Sequence, residues 1–169
     1  MIRAHRLIVL AACLAMLSAC GLQPMYAGGG SGTVATSLRS IQVQTIPGKG
    51  GWLVRNALIN KLGGDSGNGA TYRLDVELDD NLTGYGIRGD RAITRERRTL
   101  RVRFRLIELA TGTVVLDATV GSDAGIDVVS SQYATIAAEQ TALERLSEVV
   151  SDQIVSRLAL YITRTAPTR

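Results

Sequence analysis

The sequence predicts an α+β domain in two layers: a four-stranded mixed or antiparallel sheet with two helices on one face, in the order β-α-β-β-β-α. Three observations predict it. Segments in the middle of the chain alternate apolar and polar residues with period 2, as half-buried strands do. Two other segments carry apolar residues at helical spacing. One of these precedes the alternating run and the other follows it, which suits helices gathered on one side of a meander.

The chain opens with Arg3, His5 and Arg6, an 11-residue apolar run from Leu7 to Leu17, and the small pair Ser18 and Ala19 before Cys20. That is the layout of a secretory signal peptide. The apolar run falls short of the roughly 20 residues that a permanent membrane helix needs. "LSAC" resembles the lipobox of bacterial lipoproteins, in which the cysteine is acylated and becomes the first mature residue. Residues 1–19 are therefore read as a lipoprotein-type signal. Residues 20–37 are read as a lipidated N-terminus and a flexible Gly/Ser-rich tether, with a reach of roughly 20–25 Å. A single domain follows over residues 38–163, and residues 164–169 are read as a disordered tail.

Within the domain, residues 38–46 alternate Ile41, Val43 and Thr45 against Gln42 and Gln44 as a first strand, which Pro47, Gly48, Gly50 and Gly51 break. From Trp52 to Leu62, Val54, Ala57, Leu58 and Leu62 recur at helical spacing, and Gly63 with Gly64 supplies the stop. Residues 71–80 place Tyr72, Leu74, Val76 and Leu78 on one face and Arg73, Asp75, Glu77 and Asp79 on the other. Residues 84–92 read as a loop or distorted hairpin end. Residues 99–109 are the next strand, and residues 114–120 the fourth, with Leu116, Ala118 and Val120 inward. Residues 121–127 read as a second loop. Residues 133–163 contain no Pro or Gly and carry Ile136, Leu143, Val150, Ile154, Leu158 and Tyr161 at helical intervals, one long amphipathic helix.

The formal charge is +4. Removing residues 1–19 takes away Arg3 and Arg6 and leaves 17 basic against 15 acidic side chains, so the mature chain is close to neutral at +2. The same cut removes Cys13 and the only histidine, His5. A chain without His, whose one Cys is the anchor, lacks the usual metal ligands and the commonest general base. One Trp and one Phe leave few platforms for stacking nucleic-acid bases. No cofactor is expected beyond the acyl and diacylglycerol anchor on Cys20, no nucleic acid is expected as partner, and no enzymatic activity is expected. Asp79, Asp80 and Asp90 are the one carboxylate cluster on which acid/base catalysis, for example by a hydrolase, would have to rest. The three glycines of residues 84–92 do not open a helix, so the context of a nucleotide-binding fingerprint is missing.

Arg101, Arg103 and Arg105 form a basic stripe, extended upstream by Arg95, Arg97 and Arg98. Two readings stand. Asp75, Glu77 and Asp79 would face the stripe in an antiparallel neighbour, giving a solvated sheet face of complementary charges. Alternatively, arginines left unpaired would grip phosphates or carboxylates. Arg97, Arg101, Arg103 and Arg105 are the candidate contacts for an anionic lipid or a partner.

The mature start Cys20, Gly21, Leu22, Gln23, Pro24, Met25, Tyr26 is similar to the Cys-Gly-apolar-x-Pro-apolar-Tyr opening of the lipopolysaccharide-assembly lipoprotein family LptE. The long helix, with Tyr133, Ala134, Ala137, Glu139, Ala142, Ile154, Arg157 and Leu158, resembles that family's C-terminal helix, and the element order resembles its two helices on a four-stranded sheet. The glycine tether departs from the pattern. The resemblance implies a non-enzymatic lipoprotein held at the periplasmic face of the outer membrane. It implies as partners an LptD-type β-barrel, plugged in 1:1 ratio, and lipopolysaccharide. Gly21 is not the aspartate that resembles an inner-membrane retention signal. An accessory lipoprotein of another envelope lipid-transport complex is the alternative of the same architecture.

Overall fold

The computed structural model describes residues 32–64, 67–87 and 93–165. Eight elements follow one another among the described residues: α1 (Thr33–Arg39), β1 (Ile41–Val43), α2 (Gly48–Leu62), a short 3-10 turn (Gly67–Gly69), β2 (Tyr72–Ile87), β3 (Ile93–Glu108), β4 (Val114–Asp127) and α3 (Gln132–Thr165). The strands form one sheet in the order β1-β2-β3-β4. β1 runs parallel to β2, and the other two pairings are antiparallel. The α+β sheet with its helical layer is the one the sequence predicts, with α1 as an additional helix.

The core lies between the inner sheet face and the helices. Leu74, Val76, Leu100, Val102, Phe104, Leu106 and Val120 meet Val54, Leu58 and Leu62 of α2 and Leu146, Val150, Ile154, Leu158 and Ile162 of α3. Each such side chain, taken fully out of water, contributes about 1.5–3 kcal/mol. α2 and α3 approach closely where α3 carries Ser147 and Ser151. Both are buried, and their hydroxyls donate to the carbonyls of Leu143 at 2.8 Å and Ser147 at 2.7 Å, so neither hydroxyl is stranded. At the rim of this contact the Lys61 ammonium lies 2.9 Å from Glu148 and 2.8 Å from Asp152. The Asp152 and Glu148 carboxylates hold its pKa above the ordinary 10.5.

Several element boundaries differ from the sequence reading. Residues 33–37, read as tether, and Leu38 and Arg39, read as strand, form α1, because burying Leu38 and packing Val34 on the core stabilise a helix too short to persist alone. β1 is consequently only three residues long. α2 starts at Gly48 rather than Trp52, because its glycines serve close packing. A Cβ on Gly51 would stand 2.6 Å from the Ile46 carbonyl oxygen. Gly63, in the left-handed region at φ 92°, ends α2 as expected, with the Gly64 N–H bonded to the Ile59 carbonyl.

The hairpin strands are also longer than read. β2 and β3 remain paired from Tyr72↔Glu108 out to Ile87↔Ile93, so Gly84 and Tyr85 belong to the ladder. β4 continues through residues 121–127, read as a loop. Its two glycines lie opposite large side chains, Gly121 across from Arg101 and Gly125 across from Arg97. A Cβ on Gly121 would stand 3.4 Å from Arg101 Cγ, so glycine there makes room and does not turn the chain. At the other end of the domain, α3 runs on to Thr165, past the expected tail boundary. Along α3 Ile136 is exposed, because the helix overshoots the core at its start, whereas Leu143, Val150, Ile154 and Leu158 are buried.

Among the described residues no helix is long and apolar enough to cross a membrane. Cys20, the signal segment and most of the tether lie outside the described residues, as do Asp90 and residues 166–169.

Candidate functional site: the charged outer face of the sheet

Strand alternation sends one face of β2, β3 and β4 to the core and leaves the other uncovered by any described element. Six arginines (Arg73, Arg95, Arg97, Arg101, Arg103, Arg105) and six carboxylates (Asp75, Glu77, Asp79, Asp117, Asp123, Asp127) share this outer face. The equality decides its character. The face is densely charged yet balanced, so it exerts little net field on a distant ion.

The β2–β3 register sets Asp75 opposite Arg105, Glu77 opposite Arg103 and Asp79 opposite Arg101, the facing that the sequence predicts. None of these three facing pairs closes as an ion pair; Arg103, Arg105 and Arg97 reach diagonal carboxylates instead, whereas Arg95 meets Asp127 directly across from it. Arg105 donates to Glu77 at 2.7 Å. Arg103 forks onto Asp117 of β4 at 3.0 and 2.7 Å. Asp75 is gripped from its own strand by Arg73 at 3.0 and 3.4 Å. Farther along, Arg95 lies 3.2 Å from Asp127, and Arg97 lies 3.9 Å from Asp123. Arg97 also stands over the Tyr85 ring, 5.4 Å from its centroid. The Arg103 guanidinium holds the Asp117 carboxyl below its ordinary 3.8, and Asp117 in turn raises Arg103.

Four candidate contacts thus divide. Arg97, Arg103 and Arg105 are each committed to a carboxylate. Arg101 has no hydrogen bond or ion pair with any described residue, and neither has Asp79 across from it. Arg101 stands between two shallow hollows. One, of about 230 Å³, is lined by Thr99, Thr119, Gly121, Ser122 and Asp123. The other, of about 260 Å³, is lined by Glu77, Asp79, Arg103 and Thr119. A planar guanidinium free of internal partners beside hydroxyls is suited to receive one phosphate or carboxylate oxygen pair.

Arg98 leaves the stripe to which the sequence reading assigns it. It points to the inner face, forks onto Asp80 at 2.8 and 2.6 Å and donates to the Glu139 carbonyl at 3.0 Å. It ties the sheet to the start of α3, and the Asp80 carboxylate raises its pKa. The suspected carboxylate cluster also separates. Asp79 and Asp80 are adjacent and face opposite sides of the sheet, Asp80 bound by Arg98, so they share no site. Among the described residues no group of His, Cys, Asp and Glu is placed to hold a metal. The partners that sequence reasoning missed are Asp117, Asp123 and Asp127. Asp117 was legible as an outward residue of the expected fourth strand, whereas Asp123 and Asp127, which continue its period of 2, were hidden by ending that strand at residue 120.

A helical layer on one face of a four-stranded mixed sheet defines a class of small α+β domains that solved structures of bacterial lipoproteins share. The fold is similar to that of a putative lipoprotein from Caulobacter crescentus, with a TM-score of 0.68 and 27% identity over 81% of this chain and 100% of that one. The rare lipoprotein B of Shewanella oneidensis shares the fold at TM-score 0.58 and 10% identity, over 73% of this chain and 95% of the other. So does a minor lipoprotein of Acinetobacter baumannii, at TM-score 0.54 and 14% identity, over 71% and 88%. No curated protein matches the chain. Residues 38–158 match the lipopolysaccharide-assembly family LptE, and the chain belongs to that family.

Proposed function

We propose that this protein is a lipid-anchored assembly factor of the outer membrane, which plugs an LptD-type β-barrel in 1:1 ratio, helps it fold, and assists insertion of lipopolysaccharide at the cell surface. The family match over residues 38–158 carries the proposal. Cys20, acylated after removal of residues 1–19, is the anchor. Each buried methylene of its chains contributes about 0.8 kcal/mol, and two or more chains make attachment stable.

The outer sheet face supports this reading. The lumen of a large barrel is polar, and a face whose six arginines are matched by six carboxylates enters it with little net charge to desolvate. Arg101, uncommitted to any carboxylate, is the residue on this face that meets a phosphate or carboxylate of lipopolysaccharide.

The test is recovery of the full-length lipoprotein from detergent-solubilised outer membrane. A large β-barrel in near-equal amount is expected, and depletion of the lipoprotein is expected to lower both folded barrel and surface lipopolysaccharide. Recovery of the lipoprotein without a barrel, or with a different transport complex, overturns the proposal.

A further inference from the structure

β4 is an edge strand. No described strand pairs with its outer side, and it is 14 residues long. Natural sheets blunt such edges with short strands, lysine, proline or bulges. The β4 sequence, VVLDATVGSDAGID, contains no Lys, Arg or Pro, and its one register irregularity lies at the start, where Ile107 pairs with Val114. One edge carbonyl already attracts a side-chain donor. The Gln153 amide of α3 reaches the Gly121 oxygen at 3.5 Å, a long and weak bond.

Directly inward of this edge lies a hollow of about 430 Å³ between β4 and α3, lined by Val120, Asp152, Gln153, Ser156, Arg157 and Leu160. Leu160 stands 43% exposed at its wall. The edge and the hollow together have the form of a strand-addition site, with main-chain groups for pairing and a pocket for alternate side chains.

The geometry points to β4 as the docking edge for an extended segment of the partner β-barrel, a loop that adds a fifth strand and lodges an uncharged, apolar side chain in the hollow. This rests on the proposed barrel partnership. Two observations select the occupant. Asp117 of β4 is bound by Arg103 at 2.7 Å, and Asp127 and Asp123 lie 3.2 and 3.9 Å from Arg95 and Arg97, so each carboxylate of this strand has an arginine on the outer face and the edge itself calls for no cation alongside. A second copy of this chain would bring an identical hollow, and two concavities leave a void where a strand bearing a large side chain fills it. Outer-membrane barrels carry longer loops at their extracellular side, which supply the length of chain that such a strand needs.

The test is amide hydrogen exchange on the full-length lipoprotein, free and in the complex co-purified with its barrel. Gly121 offers its carbonyl outward, so Thr119, Gly121 and Asp123 share that direction by alternation. Their amides are expected to exchange at least tenfold more slowly in the complex. Leu160→Lys, an exposed substitution that leaves the core intact, is expected to lower barrel recovery severalfold. A recovered barrel with unchanged exchange at these amides overturns the edge assignment and leaves the proposed function standing. Absence of any barrel overturns the function and the inference with it. Protection of the same amides in the free protein, rising with its concentration, assigns the edge to a second copy instead.

Discussion

Arg101 stands directly opposite Asp79 in the β2–β3 register, and no hydrogen bond or ion pair joins them. Every other outer-face arginine of β3 has a carboxylate partner among the described residues. Charge reversal therefore separates binding from folding at this position. Arg101→Glu, which sets a carboxylate opposite Asp79, is expected to cost no more than about 1 kcal/mol of stability while lowering affinity for lipopolysaccharide vesicles at least fivefold. Arg105→Glu, which places a carboxylate beside Glu77, is expected to cost up to about 1 kcal/mol of stability, as exposed pairs do. Unchanged vesicle affinity in Arg101→Glu would remove that residue from the proposed contact.

Two neighbouring glycines of α2 predict opposite outcomes. Gly51→Ala forces a Cβ to within 2.6 Å of the Ile46 carbonyl oxygen, so backbone must shift, at about 1–3 kcal/mol. At Gly50 the added methyl meets Leu143 at 3.5 Å, ordinary contact, and alanine improves helix propensity by up to about 1 kcal/mol. Denaturant titration of both variants checks the sign of each.

Ile154 is fully buried between α3 and the sheet. Ile154→Ala is expected to destabilise the fold by about 2–5 kcal/mol through lost burial and the cavity left behind. A midpoint shift worth less than 1 kcal/mol would show that the helices repack freely on the sheet.

The pH dependence follows from Lys61 and Asp117. Lys61 has its folded pKa raised above 10.5 by Asp152 and Glu148. Its contribution is complete below the unfolded value and is lost as pH rises through the folded one. Asp117 has its folded pKa lowered below 3.8 by Arg103, so its contribution is present above 3.8 and is lost as pH falls through the folded value. Lys61→Met is expected to flatten the alkaline limb of the stability curve above pH 10.5 and leave the acid limb unchanged. Asp117→Asn does the reverse. Thermal midpoints from pH 2 to 12 read both limbs.

The facing of Asp75, Glu77 and Asp79 against the arginines was legible because alternation puts each set on one face and consecutive antiparallel strands bring the two sets side by side. Which arginine ends with a partner was not. That outcome depends on diagonal reach between β2, β3 and β4, and on Asp117 and Asp123 arriving from a strand whose glycines disguised its length.

The sequence by itself determined the strand-rich middle, the two long helices, the core faces of Leu74 through Val120 and the stop at Gly63, because periodicity and steric rules act locally. Only the tertiary structure decided that Thr33–Arg39 is helical, that Arg98 ties the sheet to α3, that Arg101 is uncommitted and that β4 presents an open edge. Each of these depends on contacts between residues distant in the chain, where burial and pairing outweigh the weak preferences of any short segment.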